Sequence, residues 1–241
     1  MVLINIHEFL DSFIKAWKTL VSVKSKRYAF IGIPAAVGVV VAAIIILQMN
    51  SNPTVNIPND PLAAYTLDFP YETVNSDLRS TLITQGINMS SPIKMSQPGD
   101  INLHCNFLSN QTKQALIEYC TSTEIKDEHG NFLGNIDMVG SPIAPVLVIA
   151  TGLSDPMFEN YKDIKTLFSD VMNETVCQCW AKEKPGGYST LSDMMDALRE
   201  FHLKGKEPNS TTHGIPLGGK HFEIELTTNA QGYLWKLLVA K

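Results

Sequence analysis

The sequence lacks the features that mark repeat, low-complexity and nucleic-acid-binding proteins. It has no internal repeat, and 13 prolines and 15 glycines among 241 residues are too few for a low-complexity chain. It also lacks a basic stripe, since its formal net charge is −5. Residues 1–27 carry five Lys or Arg and two Asp or Glu, a local charge of +3, so the remaining residues carry −8. A domain this acidic argues against nucleic acid as a partner.

Recognisable catalytic motifs are also lacking. No serine or lysine stands in a nucleophile-elbow or other acyl-transfer pattern, and no two histidines have the i, i+4 spacing of a zinc protease. The glycine-rich residues 213–219 have no following helix, and a phosphate site needs that helix N-terminus. We therefore predict no catalytic residue and no cofactor, and the sequence favours a protein that is not an enzyme.

The most distinctive feature that is present is an uncharged run over residues 28–49. Its 22 residues, 11 of them Phe, Ile, Leu or Val, predict a transmembrane helix. At about 1.5 Å per residue such a helix spans about 33 Å, the thickness of a bilayer core. A cleaved signal peptide is the competing interpretation, but its apolar region has only about 7 to 15 residues and ends in small residues.

Charge flanking this run predicts the topology. Five Lys or Arg precede it, and the first basic residue after it is Arg79. The positive-inside rule therefore predicts a single-pass protein of the cell membrane, with a cytoplasmic N-terminus and an extracytoplasmic domain. Residues 1–27 predict an amphipathic helix with a basic flank, which either lies in the membrane interface or docks on a partner subunit. Residues 50–61, with three prolines, predict a linker.

Residues 62–241 predict one α+β domain. Alternating apolar residues over 101–107 and 117–125 indicate strands, and the second run forms a hairpin with residues 132–139. Two helices are expected next, one with Pro156 at its first position and one opening at Thr190, and a final hairpin covers residues 222–239. Strands grouped before and after a helical pair predict a mainly antiparallel sheet with the helices on one face.

The four cysteines, Cys105, Cys120, Cys177 and Cys179, are disulfide candidates because all lie in the predicted extracytoplasmic domain. Alternation places Cys105 with core residues and Cys120 with polar ones, and helical spacing separates Cys179 from Cys177 in the same way. This pattern favours Cys105–Cys179 and Cys120–Cys177 over the other two connectivities. Free, inert cysteines are the alternative in a compartment that is not oxidising.

A second interpretation of the cysteines is chemical. Cys177-Gln178-Cys179 with Cys105, Cys120 and His104 or His202 is a candidate thiol-redox site, or a soft-metal site for copper or zinc with Cys177, Cys179, Cys105 and His104 as ligands. Two cysteines separated by one residue on a helix point in different directions. The helix that precedes them must therefore end first if both sulfurs are to meet.

Four Asn-x-Ser/Thr sequons, at Asn88, Asn110, Asn173 and Asn209, are glycosylation candidates and agree with an exported domain. Together these features predict a membrane-anchored, extracytoplasmic binding or accessory subunit of a membrane or envelope complex. The expected partners are the lipid bilayer and a protein. The alternative function is a thiol-redox or soft-metal protein.

Overall fold

The computed structural model describes residues 62–108, 110–205 and 208–241. The predicted amphipathic helix, transmembrane helix and linker, residues 1–27, 28–49 and 50–61, lie outside this part of the chain. Among the helices that are described, none combines the length and the apolar character needed to cross a bilayer.

In the part of the chain that the structure describes, an antiparallel sheet of nine strands organises the domain. Its order is β1-β3-β4-β5-β9-β8-β6, while β2 pairs with β3 and β7 pairs with β8. Five strands are long: β3 Tyr119–Lys126, β4 Phe132–Gly140, β5 Pro145–Ser154, β8 Lys220–Asn229 and β9 Gly232–Ala240. Four short ones cover the edges: β1 Asn88–Met89, β2 Ile93–Met95, β6 Asn209–Thr211 and β7 Ile215–Leu217. The predicted α+β class and antiparallel sheet are confirmed.

Three long helices cover one face of this sheet. The three long helices are α1 Tyr71–Ile83, α4 Tyr161–Thr175 and α6 Leu191–Gly205. Shorter helices are α2 Pro98–His104, α3 Gln111–Gln114 and α5 Trp180–Glu183. Of these, α1, α4 and α6 bury their apolar stripes against Ile136, Val148 and Trp235 of the sheet. The α6 helix begins with the predicted capping box, in which Asp193 N donates to Thr190 Oγ1 and Thr190 N donates to Asp193 Oδ2.

A smaller apolar cluster covers part of the opposite face. Met95, Ile101, Cys105 and Ile117 pack there against strand residues of the sheet, namely Cys120, Val139, Leu147 and Ile149. The sheet is therefore buried on both faces at this end. This second cluster explains why Cys120, expected among polar residues, is buried instead.

Strand β9 lies between β5 and β8 in the sheet. It pairs with β5 from Leu147↔Ala240 to Ser154↔Tyr233, and with β8 from His221↔Ala240 to Asn229↔Gly232. Its alternate residues Trp235, Leu237 and Val239 are fully buried beneath the helices. One strand thus joins the first five strands to the last three.

Two expected elements differ from the structure. The segment predicted as a strand over 101–107 is mostly helix α2, because Ile101 and Cys105 bury themselves one helical turn apart while Leu103 is 74% exposed. The helix expected from Pro156 begins only at Tyr161. Strand β5 continues to Ser154, and the Asp155 carboxylate then accepts hydrogen bonds from Met157 N and Glu159 N, which forms a turn before the helix.

Candidate functional site

All four cysteines form disulfides, which confirms that prediction, but the favoured pairing is wrong. Cys105 bonds Cys120 across 6.4 Å between Cα atoms, and Cys177 bonds Cys179 across 5.2 Å. The reason is the second cluster described above: α2 brings Cys105 to the face of the sheet where Cys120 lies. Cys177 and Cys179 instead pack against the helix-covered core, so the two pairs belong to opposite faces.

The Cys105–Cys120 disulfide fastens the end of α2 to strand β3. Both residues are completely buried, and 15 positions separate them in sequence. In the chain-entropy model a loop of this size contributes about 3 kcal/mol by restricting the unfolded chain. Its position in the interior indicates a structural cross-link.

The Cys177–Cys179 disulfide differs from this one in its burial, in the size of the loop that it closes and in its contribution to stability. It spans two positions, and both cysteines are only partly buried. Helix α4 ends at Thr175, and the Cys177 amide donates back to Met172 O, so the chain turns before the first cysteine. The same chain-entropy relation assigns so small a loop about 1.5 kcal/mol, about half as much as the buried pair. Its contribution to the fold is correspondingly small.

A cavity of about 170 Å³ adjoins this second disulfide. Three segments that lie close together in sequence line it: the end of α4, the start of α5 and the residues that lead into α6. The lining residues are Ser169, Met172, Asn173, Cys177, Trp180, Ala181, Ser189, Thr190 and Leu191. Small-molecule sites measure about 300–1,000 Å³. This cavity therefore matches a single side chain better than a metabolite or cofactor.

Trp180 forms a fixed wall of this cavity. Its indole Nε1 donates to Tyr188 O at 3.1 Å, and its ring centre lies 5.4 Å from that of Phe222 in the sheet. Between Trp180 and Tyr188 the chain reverses its direction through Lys184 and Gly186, which both have positive φ. An amphipathic ring held in this way offers rigid contact area to a partner at a small entropic cost. The sequence reasoning did not identify Trp180, because the local sequence gave no sign of the cavity.

The turn between β7 and β8 covers the Cys177 sulfur on another side. Gly218 there has a φ of +57°, and a Cβ added to it would lie 2.8 Å from Cys177 Sγ. Only glycine allows the backbone to approach the sulfur this closely without a shift. The turn thus covers Cys177 Sγ on one side, and Cys177 also lines the cavity.

His202, a candidate in the chemical interpretation of the cysteines, is held elsewhere. Its Nδ1 lies 2.9 Å from Ser210 Oγ and its Nε2 lies 2.7 Å from Thr228 Oγ1. Burial lowers the pKa of this imidazole below its usual value. A neutral ring hydrogen-bonded at both nitrogens joins α6 to strands β6 and β8, so its role is structural.

The soft-metal hypothesis requires thiolates, which the disulfides do not supply. His104 is exposed at the end of α2, and the neighbouring Cys105 sulfur is bonded to Cys120. Within residues 62–108, 110–205 and 208–241, no three or more His, Cys, Asp or Glu side chains are grouped so as to hold a metal ion.

Asp137 is a buried carboxyl group that the sequence reasoning missed. It lies on β4 opposite Ser122, is 6% exposed, and faces the side of the sheet that carries the second cluster. Burial raises the pKa of Asp137 to about 6, although a hydrogen bond with Ser122 opposes the shift. An acidic residue within the apolar alternation of residues 133–139 was the available signal.

The four sequons occupy different environments. Asn88 and Asn209 are exposed on the edge strands β1 and β6, and Asn173 is exposed on α4, where it borders the cavity. Asn110 is half-buried, and its Oδ1 accepts a hydrogen bond from Lys113 N at the start of α3. Glycosylation of these four residues stays a prediction.

Comparison of the chain with protein-family models, with curated protein sequences and with solved structures finds no match.

Proposed function

We propose that this chain is a single-pass membrane protein whose extracytoplasmic domain, residues 62–241, binds a protein partner as an accessory or assembly subunit of a membrane or envelope complex. Residues 28–49 supply the anchor, residues 1–27 its cytoplasmic flank and residues 50–61 the linker. The uncharged run and the basic residues before it support this topology. Two disulfides agree with an oxidising compartment outside the cytoplasm.

The observation that carries the proposal is the cavity beside Trp180. Its volume of about 170 Å³ suits one side chain, and its lining combines apolar groups with hydroxyl and amide groups. Binding sites between proteins are dominated by a few such anchor pockets, with aromatic residues prominent among them. A protein partner that inserts one apolar side chain next to Trp180 therefore accounts for the cavity better than a free ligand does.

The cavity also lies at the end of the sheet where the chain enters the domain. Leu67 N donates to Pro145 O at 2.7 Å, and Lys241 Nζ lies 3.3 Å from Asp68 Oδ1, which places residues 62–69 beside the starts of β5 and β8 and the end of β9. The turn that covers Cys177 precedes β8 directly. The cavity and residues 62–69 therefore lie at the same end of the sheet.

Site-specific photo-crosslinking in native membranes tests this proposal. A photoreactive residue replaces Ala181, an exposed residue that lines the cavity, in the full-length chain. The matched control replaces Gln231, which is exposed in the β8–β9 turn at the opposite end of the sheet. We expect one discrete protein adduct from position 181 and none from position 231. Identical adducts from both positions, or none from position 181, would overturn the assignment of the cavity.

A second candidate function is thiol–disulfide exchange with another protein. The half-buried Cys177–Cys179 disulfide beside the cavity favours it, because exposure is the first requirement for attack by an external thiolate. Metal binding is not favoured in the same way, since it needs the disulfides to be reduced first.

A further inference from the structure

We propose that the Cys177–Cys179 disulfide oxidises a dithiol in a protein partner, and that the partner reaches the Cys177 sulfur by placing an apolar side chain in the cavity beside Trp180. This inference rests on the second candidate function, thiol–disulfide exchange, and assigns its substrate class and the sulfur that is attacked. Three observations support it: the partial exposure of the pair, the position of Cys177, and the small structural contribution of the loop.

The exchange is balanced within the two proteins. A partner thiolate attacks Cys177 Sγ, the bond between the two sulfurs breaks, and Cys179 leaves with the electron pair and takes up a proton. The second thiolate of the partner then attacks the partner sulfur in the mixed disulfide, which releases Cys177 as a thiolate that is protonated in turn. Two electrons and two protons pass from the partner to Cys177 and Cys179, and the partner gains a disulfide.

The geometry around Cys177 favours it as the sulfur that is attacked. Cys177 lines the cavity together with Trp180 and Ala181, so a side chain seated there brings the adjacent partner residues to it. On another side the backbone of Gly218 lies against Cys177 Sγ and restricts approach. Cys179, whose sulfur is the leaving group, immediately precedes α5. Its backbone stays in place during the exchange, because its carbonyl oxygen accepts hydrogen bonds from Lys182 N and Glu183 N.

Opening this disulfide does not require the fold to open. Helix α4 is complete at Thr175, and the loop that the disulfide closes contains only Gln178 between the two cysteines. The fully buried Cys105–Cys120 pair on the other face of the sheet keeps its cross-link throughout. The Cys105–Cys120 disulfide is therefore structural, and the Cys177–Cys179 disulfide is exchangeable.

Trapping of a mixed disulfide tests the assignment in the full-length protein in lipid nanodiscs. The probe is a synthetic peptide with an internal disulfide and a neighbouring leucine, and its control carries serine in place of that leucine. Cys179→Ser leaves Cys177 free, and we expect it to trap the leucine peptide about tenfold faster than the serine peptide, the factor that burial of one apolar side chain supplies. Cys177→Ser is expected to trap either peptide slowly. Equal trapping by both variants would overturn the choice of Cys177.

Two further measurements keep failure of the assignment distinct from failure of redox function. Ala181→Trp fills the cavity and leaves all cysteines in place, so reduction of its disulfide by the reduced leucine peptide should slow to the serine-peptide rate. In the otherwise unaltered protein, thiol labelling should detect Cys177 and Cys179 but neither Cys105 nor Cys120. If no peptide dithiol reduces this disulfide, redox function itself fails. If both peptides reduce it equally, exchange stands and the cavity has no part in it.

Discussion

Replacement of Asp137 by asparagine is expected to stabilise the domain at neutral pH. The Asp137 carboxyl group is 6% exposed and faces apolar residues of the second cluster, and burial raises its pKa from 3.8 to about 6. Ionisation above that pKa places a charge in an environment that disfavours it. An asparagine has the same shape, keeps a hydrogen-bonding group for Ser122 and carries no charge.

The magnitude follows from the shift in pKa. About two units correspond to about 3 kcal/mol of differential stability between the protonation states. Because the pKa of Asp137 is higher in the folded state, this group does not destabilise the native protein below about pH 4. As the pH rises to about 6 the free energy of unfolding falls, and above that pH the whole destabilisation is present. Asp137→Asn should therefore raise the free energy of unfolding by about 2 to 3 kcal/mol at pH 7.5 and change it little at pH 3.5.

Urea unfolding of the full-length protein in detergent, followed by tryptophan fluorescence at both pH values, measures this difference. Asp127→Asn is the matched control. The Asp127 carboxylate is exposed in the β3–β4 turn, accepts hydrogen bonds from Asn131 Nδ2, Asn131 N and His129 N, and has a lowered pKa, so its replacement should destabilise the domain above about pH 4. A loss of stability in Asp137→Asn at pH 7.5, or an equal gain at both pH values, would refute burial as the cause.

Further predictions concern other groups described above. Because burial lowers the pKa of His202, stability should fall as the pH drops below about 6.5, and His202→Gln should flatten urea-unfolding midpoints across that range. Replacement of both Cys105 and Cys120 by alanine should lower the free energy of unfolding in urea by about 3 kcal/mol, and the same change at Cys177 and Cys179 by about 1.5 kcal/mol. Equal losses would contradict a structural role for the first disulfide alone. Protease added to intact cells should remove residues beyond about position 50 and spare residues 1–27, whereas protection of the domain would overturn the topology.

The elements that the sequence predicted well are those specified by neighbouring residues. The β3–β4 hairpin follows from two alternating runs around residues 127–130, and the start of α6 follows from the Thr190 and Asp193 capping pair. Where two periodicities fit the same residues, local pattern was insufficient. Ile101, Leu103, Cys105 and Phe107 alternate like a strand, yet Ile101 and Cys105 also lie one helical turn apart, and packing on the second face selects the helix.

The candidate site depends on contacts that no local pattern contains. Whether Cys177 and Cys179 can bond each other depends on where α4 ends, and burial of Cys120 depends on a cluster from residues 95–117. The cavity arises only when α4, α5 and the start of α6 come together. Cysteine positions therefore identified the disulfide-forming residues, while their partners and the cavity required the tertiary structure.

The position of β9 between β5 and β8 has a consequence for how the domain is made. During synthesis β1 to β5 emerge first and β6 to β8 later, but neither group has the other as a neighbour until residues 232–240 arrive. Until then β5 and β8 each present an unpaired edge, and unpaired edges invite association with other chains. Assembly is thus held back until nearly the whole domain has been synthesised, a delay during which a chaperone or a neighbouring subunit has two open strand edges to bind.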